Sequence, residues 1–277
     1  MASEALSSGR TAVVAVASGG PLRRRSARAV APTLTAVALL IGWQLAGRFE
    51  LFAPRQYLPP AADVLAGLAD LMMGAPLWLA LWNTLTGVMS GLAIAVVIGL
   101  AAGVLVGSSA WLNRATRIPV EFLRPVPSVA LIPLAILIYG NGFESKVFLV
   151  VYAALWPILV QTIYGIRDID PVAMDTARSF SLGPVRRLVD VAVPCALPHA
   201  VTGIRIASSI AIMLAVTAEL IIGMPGLGKE ISLARQVGDV TGMYAFIIVT
   251  GLLGWGLNAS LLAVERRVLF WHQSYRP

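Results

Sequence analysis

Residues 71–113 read LMMGAPLWLALWNTLTGVMSGLAIAVVIGLAAGVLVGSSAWLN, and none of them carries a charge. The middle of the run also lacks proline, so nothing interrupts a helix from Trp78 to Gly107. That is long for one upright span of a hydrocarbon core of ~30 Å, and it predicts a tilted or protruding transmembrane helix. Gly87 and Gly91, then Gly99, Gly103 and Gly107, recur every four residues. Small residues one turn apart let helix backbones approach closely in lipid, so this face is expected to pack against another helix.

The rest of the chain follows the same pattern. Of 277 residues, 58% are apolar and only 13% charged. A soluble domain carries ~25% charged residues, so the composition places the chain among membrane proteins. The net charge of +7 rests mostly on arginine, but these residues are scattered between apolar runs, which argues against a nucleic-acid surface. A single cysteine, Cys195, rules out a disulfide framework and a thiolate metal site.

Working outward, residues 29–47 form a first span behind Arg23, Arg24, Arg25 and Arg28. The run is longer than a signal peptide's apolar region and lacks a good cleavage site, so it reads as retained. Pro125 to Phe143 is a third span, kinked by Pro125, Pro127 and Pro133. Val147–Ile166, Leu197–Ile222 and Val240–Val264 complete six. With the N-terminus inside, the inner segments collect sixteen basic residues and the outer segments five, Lys146 and Lys229 among the latter. The positive-inside rule therefore puts both ends in the cytoplasm. The expected divisions are a cytoplasmic tail 1–28, a first helix 29–47, an outer segment 48–77, a core 78–266 and a cytoplasmic tail 267–277. In the outer segment Pro59-Pro60 opens a short helix, and Val64, Leu65, Leu68, Leu71 and Met72 share its apolar face, as in a helix lying on the membrane.

The longest polar stretch between spans, 167–195, is organised. Asp170-Pro171 is an N-cap followed by proline at the first helical position. That helix is expected to run to Ser181. Ser181-Leu182-Gly183-Pro184 then turns, and a second helix carrying Arg186 and Arg187 ends near Pro194. Two short helices outside the membrane can fill a partner's groove, or they can simply be solvated.

Asp175-Thr176-Ala177, Ser181, then Val191, Val193 and Pro194 have the spacing of a known motif, Glu-Ala-Ala…Gly…Ile-x-Leu-Pro. It resembles the loop that marks the permease subunits of binding-protein-dependent ABC importers. Leu58-Pro59-Pro60, Arg124-Pro125-Val126-Pro127, Thr202-Gly203-x-Arg205, Ala218-Glu219-Leu220, Gly226-Leu227-Gly228 and Glu265-Arg266-Arg267 extend the likeness to the sulfonate/taurine/nitrate branch. Roughly residues 58–272 are covered.

The resemblance implies an all-α, type I importer permease-like fold in a bacterial plasma (inner) membrane, with a cytoplasmic coupling helix. It implies a homodimer, two cytoplasmic ATPase subunits and an external solute-binding protein, with substrates such as sulfonates, taurine or nitrate. Related permeases carry vitamin precursors or other small heterocycles. The chain itself would bind no cofactor, ATP and magnesium belonging to the partner ATPase. The coupling residues would be Asp175, Thr176, Ala177, Ser181, Gly183, Val193 and Pro194. Here aspartate, threonine and serine stand where the motif has Glu, Ala and Gly, and Gly183 is a further source of a flexible turn.

Other motifs carry less. Gly223-Met-Pro-Gly-Leu-Gly228-Lys229 matches the start of a phosphate-binding loop, but Glu230 follows where Ser or Thr should hold magnesium. His199 and His272 have no partners for a metal site. Arg205, near the inner end of the fifth span, is expected to snorkel or to meet helix carbonyls. Glu219 lies about 33 Å along that span, where an ionisable group marks either a functional site or the outer interface. With Pro127 and Pro133 it is the expected lining of a translocation path.

Overall fold

The computed structural model describes residues 21–54 and 56–270. Arg10, Arg55, His272 and Arg276, used in reading the topology and motifs, lie outside them. Among the described residues the chain is helical, in two units, 1–61 and 62–277. The first unit is dominated by α1 (Pro21–Arg48), which contains the charge-free run 29–47. At its end Gly47 packs on the Pro59–Pro60 backbone, and the Trp43 indole N–H donates to the Pro59 carbonyl at 3.1 Å.

The second unit opens with α2 (Ala61–Met73), directly after Pro60 as expected. α3 (Ala75–Ser108) follows as one unbroken helix of 34 residues. α6 (Phe143–Arg167) runs parallel to it, and the glycine stripe is their seam. Gly87 faces Lys146, Gly91 faces Val150, Gly99 faces Ile158, Gly103 faces Thr162 and Gly107 faces Ile166. A Cβ at any of these glycines would lie 2.3–2.9 Å from the opposing side chain, so only glycine allows this approach. Ala95 and Ala154, fully buried, continue the seam where the glycines pause.

Between α3 and α6 the chain returns through α4 (Ala110–Leu123), a 3-10 turn (Ser128–Leu131) and α5 (Ile132–Tyr139). This corrects the expected single span Pro125–Phe143. The turn and α5 are too short by themselves for a core of ~30 Å. Only in combination with α4, from which they bend by 83°, are they long and apolar enough to cross. The bend falls at Pro125–Pro127, where two missing amide hydrogens leave no helix ladder to continue. Pro133 does not kink the span. It sits in the first turn of α5, where its missing donor is unpaired in any helix.

The segment 184–222 is a second departure. The helix opened by Pro184 does not stop near Pro194. It passes from α8 (Pro184–Arg186) through a π turn (Arg187–Ala192) into α9 (Val193–Ile222). Pro194 cannot donate to Asp190, and its ring crowds that carbonyl. The ladder widens by one residue just before it, with the Val193 N–H bonding to the Leu188 carbonyl. α9 packs antiparallel on α6, with Gly203 against Pro157 and Ile158 and Gly165 against Ala196. α10 (Leu227–Gln236) and α11 (Val240–Val268) close the unit.

Four helical segments, α3, α6, 184–222 and α11, are long and apolar enough to cross a membrane, and the bent pair is a fifth. The expected first span, 29–47, lies within α1, which is not among these, so the described residues carry up to five of the six expected crossings. Leu68 and Leu71 of α2 do not simply lie on a surface. They pack on Leu77, Leu227, Ile231 and Phe246 of α3, α10 and α11.

Candidate functional site

Two groups of polar residues stand out, one beside α7 (Pro171–Ser179) and one at the start of α10. At α7, the Asp170 side chain accepts from the Val172 N–H at 2.8 Å and Pro171 takes the first position, as the sequence indicates. The helix ends at Ser179, two residues short of the expectation. Ser181 adopts φ +56°, with its N–H donating to the Arg178 carbonyl at 2.8 Å. The Leu182 N–H donates to the Ala177 carbonyl at 3.1 Å. This pair of bonds is a Schellman cap, which needs a left-handed residue at the position Ser181 fills. Gly183 supplies no flexible turn, since its φ of −61° and ψ of 161° suit any residue.

Ala177 is buried beneath this turn. Below it Ile169, Met174 and Leu188 pack against Ile166, Ala192 and Ala196, which fastens the loop to the ends of α6 and α9. Asp175, Thr176, Ser181, Gly183, Val193 and Pro194 are each exposed. Apolar Val172, Phe180 and Val185 are 69–78% exposed among them. Asp175 pairs with Arg178 at 2.7 Å, one turn along the same exposed helix face. The surface therefore mixes apolar knobs with charge, and its base is rigid.

The group at α10 is the opposite in character. Glu219 is fully buried in α9 and meets the Lys146 ammonium at 2.6 Å. Lys146 also donates to the carbonyls of Asn83 (3.1 Å) and Pro225 (2.9 Å). The other oxygen of Glu219 accepts from the Thr84 hydroxyl at 2.9 Å and the Gly228 N–H at 3.0 Å. Thr84 in turn accepts from the Leu227 N–H at 2.9 Å. The first amides of α10 are thus satisfied from α3 and α9, with a carboxylate at the helix's positive end.

This arrangement explains the glycine-rich stretch. Gly226 has φ +154° and lies against the Glu219 carboxylate, where a Cβ would overlap it. The match to a phosphate-binding loop is a coincidence of packing, since the amides of Leu227 and Gly228 are already engaged by protein.

Sequence reading assigned Lys146 to the outer solvent-facing charges, but it is only 2% exposed. Its place directly before the expected span Val147–Ile166 was the available signal. The proposed path residues do not share one surface. Pro127 and Pro133 are exposed around the bend before α5, whereas Glu219 is enclosed. Arg205 reaches a partner that spacing did not foretell, Glu265 on α11 at 3.3 Å. No cluster of three or more metal-ligating side chains occurs among the described residues.

Comparison with known proteins adds the following. Residues 95–270 match the family model described as "Binding-protein-dependent transport system inner membrane component". The chain is 33% identical over 246 residues to the putative aliphatic sulfonates transport permease protein SsuC of Escherichia coli (strain K12), covering 89% of this chain and 93% of that protein. It is 30% identical to the taurine transport system permease protein TauC of the same strain, covering 86% and 88%. Against the bicarbonate transport system permease protein CmpB of Synechococcus elongatus it is 31% identical, covering 68% and 69%. Among solved structures, a chain of the inward-facing MetNI methionine ABC transporter superposes with a TM-score of 0.61 at 22% identity, covering 70% of this chain and 99% of that one. An amino acid ABC transporter gives 0.61 at 17% identity, covering 72% and 97%. At such identities these structures speak for the fold alone.

Proposed function

The chain belongs to the inner-membrane components of binding-protein-dependent transport systems, in the sulfonate/taurine/nitrate branch of the ABC importer permeases, and from that premise we propose how it works. As a member it is a multi-pass permease subunit for a small solute. Two copies line one translocation path, two separate ATPase subunits dock on the exposed face around α7, and an external solute-binding protein delivers the substrate. Both termini lie on the ATPase side, consistent with the distribution of basic residues. The chain does no covalent chemistry and binds no cofactor, ATP and magnesium being held by the ATPase.

The observation that carries this reading is the α7 turn. Its exposed face holds Asp175, Thr176 and Ser181 over a buried Ala177, and its base is packed on the ends of two spans. Force applied to α7 therefore reaches α6 and α9 directly. Closure of the ATPase pair would draw the loops together and rock the two permease halves between inward-open and outward-open states. Aspartate in place of the motif's glutamate keeps the charge one methylene nearer the backbone, where it is held by Arg178.

The substrate is a small oxyanion, by analogy with relatives named for aliphatic sulfonates, taurine and bicarbonate. The alternative is a vitamin precursor or other heterocycle carried by the same kind of complex. Binding measurements on the partner solute-binding protein separate the two. Co-expression with the ATPase subunit tests the assembly. The reading requires a stable complex that hydrolyses ATP and loses the ATPase when Asp175 is replaced by arginine.

A further inference from the structure

A cleft of about 690 Å³ opens between α4 and the second half of α6. Arg117, Arg124, Arg167, Asn113 and Tyr164 line it, and Glu121 is its one carboxylate. Three guanidinium groups thus face a single acidic side chain. Glu121 is already committed, since it pairs with Arg117 at 2.9 Å. Arg124 and Arg167 have no ion-pair or side-chain hydrogen-bond partner among the described residues.

The helix that supplies two of these arginines is two-sided. Trp111, Ala115, Ile118 and Phe122, at i, i+4, i+7 and i+11, form one exposed apolar stripe. Asn113, Arg117, Val120 and Arg124 repeat the same spacing on the opposite side, toward the cleft. No residue of α4 is buried, so the polar stripe is not there to pack against protein.

Depth makes the unpaired charges informative. The Tyr152 hydroxyl of α6 donates to the Leu123 carbonyl at 2.9 Å, which fixes the end of α4 beside the middle of that span. From Tyr152 to Arg167 is about 22 Å along the helix. Arg124 therefore starts well inside the span, and its side chain reaches into the same cleft as Arg167. Arginine at such depth is retained where it faces a water-filled cavity or a counter-charge. A planar guanidinium favours one kind of counter-charge, the bidentate oxygens of a phosphate-, sulfonate- or carboxylate-type group.

The geometry points to an oxyanion-binding site in the α4–α6 cleft, held by Arg124 and Arg167, with Arg117 and Tyr164 at its edge. The site rests on this cleft alone and does not require the ATPase partnership proposed above. Two sources offer the same chemistry, a free oxyanion on its way through the protein and the head group of an anionic phospholipid.

The test uses the purified full chain in a neutral detergent, with no ATPase present. Isothermal titration with inorganic sulfate and with methanesulfonate reads the free-anion arm. Native mass spectrometry after transfer from phosphatidylglycerol-containing nanodiscs reads the head-group arm. The site predicts anion binding in at least one arm, weakened about tenfold or more in Arg124→Gln/Arg167→Gln. Arg114→Gln, on the same helix but outside the cleft, should leave it unchanged. Sulfate binding identifies a free oxyanion, whereas retained phosphatidylglycerol without sulfate binding identifies the head group. Both substituted residues are exposed, so the double variant should keep its thermal midpoint. If it does and neither arm changes, the site is refuted. Equal loss in Arg114→Gln would reduce the effect to general surface charge and also refute it. Loss of self-association with unchanged anion binding would make the cleft a protein interface instead.

Discussion

Each end of the bundle carries a carboxylate paired with a cation, and the two pairs are built on opposite principles. Asp175 and Arg178 face outward with their side chains 68% and 60% exposed. Such a pair contributes ~0–1 kcal/mol, and its members are free to exchange partners. Lys146 and Glu219 are enclosed and tied by an ion pair and hydrogen bonds to α3, the Pro225 carbonyl and the start of α10. Removing one member of such a pair leaves a charge that nothing compensates, at ~3–5 kcal/mol. The difference teaches where this molecule is meant to be fixed and where it is open to a partner.

The sharpest way to break the contrast is to remove the buried carboxylate. Glu219→Ala should lower stability by about 3–5 kcal/mol, read from thermal unfolding in detergent. The companion Lys146→Met/Glu219→Leu should recover much of the loss, since it removes both charges together. A mild effect of the single change would mean that water reaches the pair. Next in size, Gly226→Ala places a Cβ on the Glu219 carboxylate at φ +154°, and should cost about 1–3 kcal/mol in the same assay. Overpacking the α3–α6 seam with Gly99→Val, against Ile158, should cost a comparable ~1–3 kcal/mol without touching any charge. At the other end, Asp175→Ala should change unfolding by no more than about 0.5 kcal/mol, because the pair is exposed. Smallest of all, Ser181→Gly should stabilise by a few tenths of a kcal/mol, about the penalty of a left-handed serine less the entropy glycine adds.

The same contrast governs what the amino-acid sequence revealed. The α7 end is local. Asp170-Pro171 writes its own helix start, and neighbours in the chain form the cap at Ser181, so the motif could be read directly. The spans were legible too, because a charge-free run has one use at membrane thickness, and the glycine stripe announced its seam. The α10 end is assembled from Asn83, Thr84, Lys146, Glu219 and Pro225, which are far apart in the chain. Spacing alone cannot pair them, and Lys146 looked like an ordinary outer charge. The π turn before Pro194 and the 83° bend after α4 were hidden for another reason. Proline shows that a ladder must break, but packing decides whether it breaks as a kink, a widened turn or a reversal.

We propose that an ATPase acts on the membrane helices through the exposed face of α7. The most direct test is ATP hydrolysis by the permease–ATPase complex, reconstituted in liposomes with and without the solute-binding protein, comparing the native chain with Asp175→Arg. The variant permease should fold with an unchanged thermal midpoint, while ATPase association and hydrolysis stimulated by the binding protein are lost. Full association and stimulated hydrolysis in the variant would contradict it.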